Sequence, residues 1–131
     1  MASLDLATLL VHDYDTAIAF FVDVLGFELA EDSAVASQDG RPKRWVVVRP
    51  SPGAAGLLLA EAADDEQRAA IGRQCAARVG FFLHVEDFEA TYDRLVAAGV
   101  TIEAAPRKEP FGTVVVFRDV AGNRWDLLGP L

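Results

Sequence analysis

The chain has 131 residues, a hydrophobic fraction of 52% and a formal charge of −8 at pH 7. That length suits one compact domain burying roughly two thirds of its unfolded surface, and the acidity argues against nucleic acid or an anionic membrane, both of which require a positive face. No uncharged apolar run approaches the ~20 residues of a membrane span. The start Met1-Ala2-Ser3-Leu4-Asp5 lacks a basic leader, and the lone Cys75 has no intrachain disulfide partner. A cytoplasmic location is expected from both.

In chain order, Asp5 to Val11 reads as a strand with both faces largely covered. Asp13 is an N-cap, its carboxylate suited to the orphan amides of a first helical turn, and Asp15 adds dipole compensation. Ala17, Ile18, Phe21, Val24 and Leu25 form one apolar stripe on the helix that follows, and Gly26 stops it. A second strand is expected over 27–30 and an exposed loop over 32–43. Trp45-Val46-Val47-Val48-Arg49 and Gly56-Leu57-Leu58-Leu59-Ala60 are the next strands. Asp64 or Asp65 caps a polar helix of roughly residues 66–74. Strand 80–85, a helix capped by Asp87 and closed by Gly99, and strands near 101–104, 113–118 and 124–128 complete the chain. The tight turn Asp119-Val120-Ala121-Gly122-Asn123 joins the last two strands.

The order repeats. Val11-His12-Asp13-Tyr14-Asp15 is echoed by Val85-Glu86-Asp87-Phe88-Glu89, an offset of 85 − 11 = 74 residues. Each copy reads strand–helix–strand–strand–strand. The expected organisation is a single domain over 1–131, with one module at about 4–62, a linker helix at about 64–76 and a second module at about 78–129. Two such modules must bury their apolar faces against each other or against another chain.

The run Asp13-Tyr14-Asp15-Thr16-Ala17-Ile18-Ala19-Phe20-Phe21 with Leu25-Gly26-Phe27 carries a resemblance in the first half. Val85 to Tyr92, Ala98-Gly99-Val100, Phe117-Arg118-Asp119 and Gly122-Asn123 carry it in the second. In their order and spacing the chain resembles the vicinal oxygen chelate superfamily, the glyoxalase / bleomycin resistance / extradiol dioxygenase family, over essentially its whole length. The resemblance implies an α+β fold of two βαβββ modules forming a U-shaped, partly closed barrel around a cleft. Many members bind a divalent metal there through His, Gln or Glu on the first and last strand of each module. The corresponding positions here are Leu6, a residue within Leu57-Leu58-Leu59, Gly80 and Asp126. Three of the four offer no ligand, and one carboxylate falls short of the three or four donors of a catalytic metal site. No metal and no cofactor are expected.

Parity from those positions places Leu6, Thr8 and Leu10, then Gly80, Phe82 and His84, then Arg124, Asp126 and Leu128 on the cleft face. Thr8, Leu10, Phe82, His84, Arg124 and Asp126 are the candidate ligand-binding residues. Structural alternatives stay open: His84 satisfied by a backbone carbonyl or by Asp126, and Arg124 with Asp126 as an ion pair at the cleft mouth. Trp45 and Trp125 read as packing against helices, His12 as a solvated turn residue, and 107–112 as a lip over the cleft or a plain exposed loop. The expected function is binding of a small organic ligand in a metal-free cleft, sequestering a toxic compound as bleomycin resistance proteins do. The alternative is a metal-independent isomerase or lyase with His84 as base and Asp126 orienting it, and behind it a metal-dependent lyase or dioxygenase. The partners expected are a small molecule and a second copy of the chain in a homodimer, with no nucleic acid and no membrane.

Overall fold

Aspartate starts and glycine ends the helix of each copy in the computed structural model, which describes residues 1–130. Asp13 stands in extended backbone and accepts from the Thr16 amide at 2.8 Å, and Asp87 accepts from the Ala90 amide at 3.0 Å. Each carboxylate satisfies one of the donors a first turn leaves orphaned. Gly26 and Gly99 take φ of 76° and 72° beyond the helix ends, a conformation a Cβ would strain.

The chain divides into two compact units, Met1–Arg68 and Ala69 to the C-terminal end. The first holds β1 (Leu6–Val11), α1 (Tyr14–Ile18), β2 (Glu28–Val35), β3 (Lys43–Arg49) and β4 (Gly56–Glu61). Its four-stranded sheet runs β1-β4-β3-β2, with β1 parallel to β4 and the other pairs antiparallel. The second unit holds β5 (Val79–His84), α3 (Phe88–Ala97), β6 (Arg107–Glu109), β7 (Gly112–Arg118) and β8 (Arg124–Leu128), ordered β5-β8-β7-β6 with β5 parallel to β8. α2 (Asp65–Ala70) spans the boundary. The repeated βαβββ unit is therefore real, and the fold is α+β.

The two helices differ by one residue between cap and stop, 26 − 13 = 13 against 99 − 87 = 12. The extra residue is absorbed because α1 continues as a π-helical turn over Ala19–Val24, where the Leu25 amide reaches back five residues to the Phe20 carbonyl at 3.1 Å. This wider winding turns the stripe. Tyr14, Ala17, Phe20, Phe21 and Leu25 are buried, whereas Ile18 and Val24, expected in the stripe, are only half-buried. Phe20 meets Phe21 edge-on with ring centres 5.1 Å apart.

Several expected boundaries move. β2 runs to Val35, through much of the expected loop, because Asp32 pairs with Val46 and Val35 with Lys43 in a hairpin with β3. Arg44 grips Asp32 across that pair at 2.8 Å and holds its carboxyl below the usual range by hydrogen bonding. The second strand of the second module lies at Arg107–Glu109, not at 101–104, where only an Ile102–Phe117 bridge forms. Pro106, which lacks an N–H, lies between that bridge and β6. The expected lip at 107–112 is thus β6 and its turn into β7. α2 stops at Ala70 rather than near residue 74; Gly72 follows at φ 76°, where a Cβ would collide with the Ala121 carbonyl oxygen.

Asp119 organises the last turn. Its buried carboxylate accepts from the amides of Ala121 and Asn123, both at 2.9 Å, from the Asn123 side chain, and from Trp125 Nε1 at 2.8 Å. Asp119→Ala should cost roughly 2–4 kcal/mol, because several buried donors lose a charged acceptor at once. Asp87→Ala, one exposed cap, should cost about 1 kcal/mol. Urea denaturation of both variants would check this, and equal losses would refute the ranking.

Candidate ligand-binding site

Strand alternation sorts each sheet into two faces. In the first unit Arg44 shares its side with Val46 and Val48, and that side meets α1: Arg44 bonds Asp15 at 2.9 Å and sits 5.1 Å from the Tyr14 ring centre. Register carries the same face to Leu57, Leu59, Leu9 and Val11. Thr8 and Leu10 consequently stand on the opposite, helix-free face, with Leu6, Leu58 and Val47. Trp45 stands there too. It is 38% exposed and faces away from the helix, contrary to expectation, since the adjacent position, Arg44, takes the helix side.

In the second unit Phe88 of α3 packs on Gly129, two residues beyond Leu127. Leu83, Leu127 and Trp125 are buried on that side, and Trp125 stacks at 4.6 Å on Phe81 and 5.7 Å on Phe117. Phe82, His84, Arg124 and Asp126 therefore share the helix-free face, with Phe82 directly opposite Asp126 and His84 opposite Leu128. Phe82 is 65% exposed. The parallel pairing slips at Gly80, where a bulge separates Val79 from Phe81. The Cys75 sulfur fills the space beside Gly80, 2.7 Å from where a Cβ would stand.

The polar residues are brought to one face but not to one another. Arg124 donates from Nε and Nη2 to Glu103 at 2.8 and 2.9 Å and from Nη1 to the Ala77 carbonyl at 2.8 Å. Arg118 joins the same carboxylate at 3.2 Å. The Arg124 hydrogen bonds hold the Glu103 carboxyl below the usual range, and Glu103 in turn raises the guanidinium pKa. Asp126 contributes only a weaker field at Arg124, so of the alternatives left open the Arg124–Asp126 ion pair does not form, and Arg124 pairs with Glu103 instead. Among the described residues no hydrogen bond or ion pair joins His84 to Asp126. Glu103 went unremarked in the sequence because its partners are 15 and 21 residues away, on strands whose pairing order no local pattern reveals.

The family's metal positions can be placed by register. Thr8 pairs with Leu58 as Phe82 pairs with Asp126, so Leu58 is the counterpart of Asp126 in the first unit. Leu6, Leu58 and Gly80 have no donor atom, and no group of three or more His, Cys, Asp or Glu side chains could hold an ion among the described residues. A divalent metal does not fit this donor set.

The depressed Glu103 pKa gives a sign for pH dependence. The arginine network adds stability above the ordinary carboxylate pKa, and the gain is lost as pH falls through the lowered folded value. Glu103→Gln should therefore be less stable than wild type at neutral pH, with the gap closing in acid. Urea melts from pH 7 to pH 3 would show it, and a gap constant with pH would refute the coupling.

Comparison with known proteins agrees with the fold. Residues 3–127 match the model of the Glyoxalase/Bleomycin resistance protein/Dioxygenase superfamily. An uncharacterized protein of Shewanella frigidimarina (strain NCIMB 400) is 48% identical over 122 residues, covering 92% of this chain and 87% of that one. The crystal structure of UcmS2 is 35% identical, covers 98% of both chains and superposes with a TM-score of 0.79. That of TnmS3, an antibiotic binding protein from Streptomyces sp. CB03234, is 26% identical with a TM-score of 0.75 over 100% of this chain and 98% of that one. With two βαβββ units and a family match over nearly its whole length, the chain belongs to the glyoxalase/bleomycin resistance protein/dioxygenase superfamily.

Proposed function

We propose that the protein binds a small organic ligand without a metal, on the helix-free face of a sheet, and by binding sequesters it. The supporting observation is the donor set: leucine, leucine and glycine stand where a metal-using relative needs ligands, on faces that combine apolar walls with few polar groups. Such a composition suits organic ligands, for which apolar area supplies affinity and isolated polar groups fix orientation. The likeness to TnmS3, an antibiotic binding protein, is consistent with a toxic compound as ligand. The enzyme alternative, proton transfer by His84 with Asp126 orienting it, lacks the bond between the two that such a role requires.

A thermal-shift screen of antibiotics and aromatic metabolites, with and without zinc, nickel or manganese, tests this reading. Ligand-dependent stabilisation should be indifferent to the metals, and His84→Ala should lower affinity modestly rather than abolish a turnover. Stabilisation that needs a metal, lost in Asp126→Ala, would overturn it.

The same reading includes a homodimer, since β2 closes one end of its sheet with both faces exposed and an open edge liable to pair. Light scattering should give twice the chain mass at micromolar concentration. A monomer at every concentration would refute it.

A further inference from the structure

Resting on that proposed function, we infer that the helix-free face of the second unit selects a flat aromatic compound carrying a protonated amine, its ring on Phe82 and its ammonium on Asp126. Phe82 and Asp126 are direct neighbours across the β5–β8 ladder, side chains on one face. Phe82 leaves 65% of its surface to solvent, an unusual exposure for a phenyl group on a strand. Asp126 is half-buried and makes no hydrogen bond or ion pair among the described residues.

The remaining charges of this face are already committed. Arg124 gives its donors to Glu103 and Ala77, Arg118 bonds Glu103 and the Gly122 carbonyl, and Arg107 bonds Glu109 at 2.8 Å. An anionic ligand would have to displace Glu103 or Glu109 to reach a guanidinium. A cation has no ion pair to displace, only the weak field between Asp126 and Arg124 to share: Asp126 offers both oxygens, and a charge-assisted N–H···O bond is the strongest single polar contact available to it. An exposed phenyl beside that carboxylate adds ring stacking for a flat ligand and a favourable field for its positive charge. The chain's formal charge of −8 favours approach of the same cation.

Fluorescence titrations with two flat tricyclic probes of opposite charge, 9-aminoacridine and 9-anthracenecarboxylate, test the inference on the full chain. The aminoacridine should bind at least about tenfold more tightly than the carboxylate, and Asp126→Asn should remove most of that preference by weakening the cation alone. Phe82→Ala should weaken both probes together, and Glu86→Gln, an acid outside the face, should change neither. In the wild-type protein 9-aminoacridine should also slow alkylation of Cys75, whose sulfur lies beside Gly80, two residues before Phe82 on β5, a readout that does not depend on any variant folding. Equal affinity for the two probes, an Asp126→Asn protein that keeps the preference, or Cys75 alkylation unaffected by saturating aminoacridine would each overturn the inference. Ligands from the wider screen that ignore Asp126 would sink it while leaving the proposed function standing; a screen that yields no ligand would remove the function first.

Discussion

Alternation along the strands is the constraint on which the rest depends. A side chain at one position commits its neighbours two residues away to the same face, and a slip of one residue would exchange every inside for an outside. In the first unit Leu9, Val46, Val48 and Leu59 are fully buried beneath α1. Shift β8 by one residue and Asp126 would enter the place of Leu127, also fully buried, leaving a carboxylate in the core. The core therefore fixes the orientation of the site residues, although none of them belongs to it. The two bulges, at Leu29/Glu31 and at Gly80, sit where a strand begins, so the alternation that follows is undisturbed.

Glu103 gives the second unit its electrostatic character. One carboxylate is shared between Arg118 and Arg124, each of which also bonds a backbone carbonyl, and both guanidiniums are thereby fixed in place. Without Glu103 two adjacent arginines would make this face an anion site. With it, the arginines serve as structural ties between Thr101–Glu103, β7 and β8, and the acceptor left over is Asp126. Under the proposed assignment, chemical preference on this face would thus depend on a residue that need not touch the ligand.

Legibility in the sequence followed locality. Asp13, Gly26, Asp87 and Gly99 act within one turn of chain, so their roles could be read directly, and with them the module repeat and the parity that brings Thr8, Leu10, Phe82, His84, Arg124 and Asp126 to helix-free faces. β2 was hidden because it buries almost nothing: with both faces exposed it has no apolar period, and only pairing with β3 makes it a strand. β6, three residues long, exists by virtue of its hairpin with β7. Trp45 was misassigned because a large aromatic residue suggests core, whereas Arg44 takes the helix side through Asp15 and Tyr14. The ion pair left open for Arg124 named Asp126, near in sequence, whereas its partner is Glu103, near in space.

Magnitudes assign different work to the polar and apolar parts of the site. A micromolar complex needs about −8 kcal/mol. Covering Phe82 contributes at most about 3 kcal/mol, and a hydrogen bond to a charged carboxylate about 1.5–3 kcal/mol. Together these barely exceed the roughly 4 kcal/mol that association costs at the low end. Affinity must therefore come from further apolar contact, and on this face Val116 and Leu128, both half-buried, are placed to provide it, Val116 as the other cross-strand neighbour of Asp126. A metal in the family position would supply tight, directional binding from a few atoms; leucine and glycine there leave only area and shape. Area does not distinguish one flat ligand from another. In the proposed site discrimination would fall to the carboxylate without an ion-pair partner, Asp126 selecting the compound and the surrounding apolar surface setting how firmly it is held.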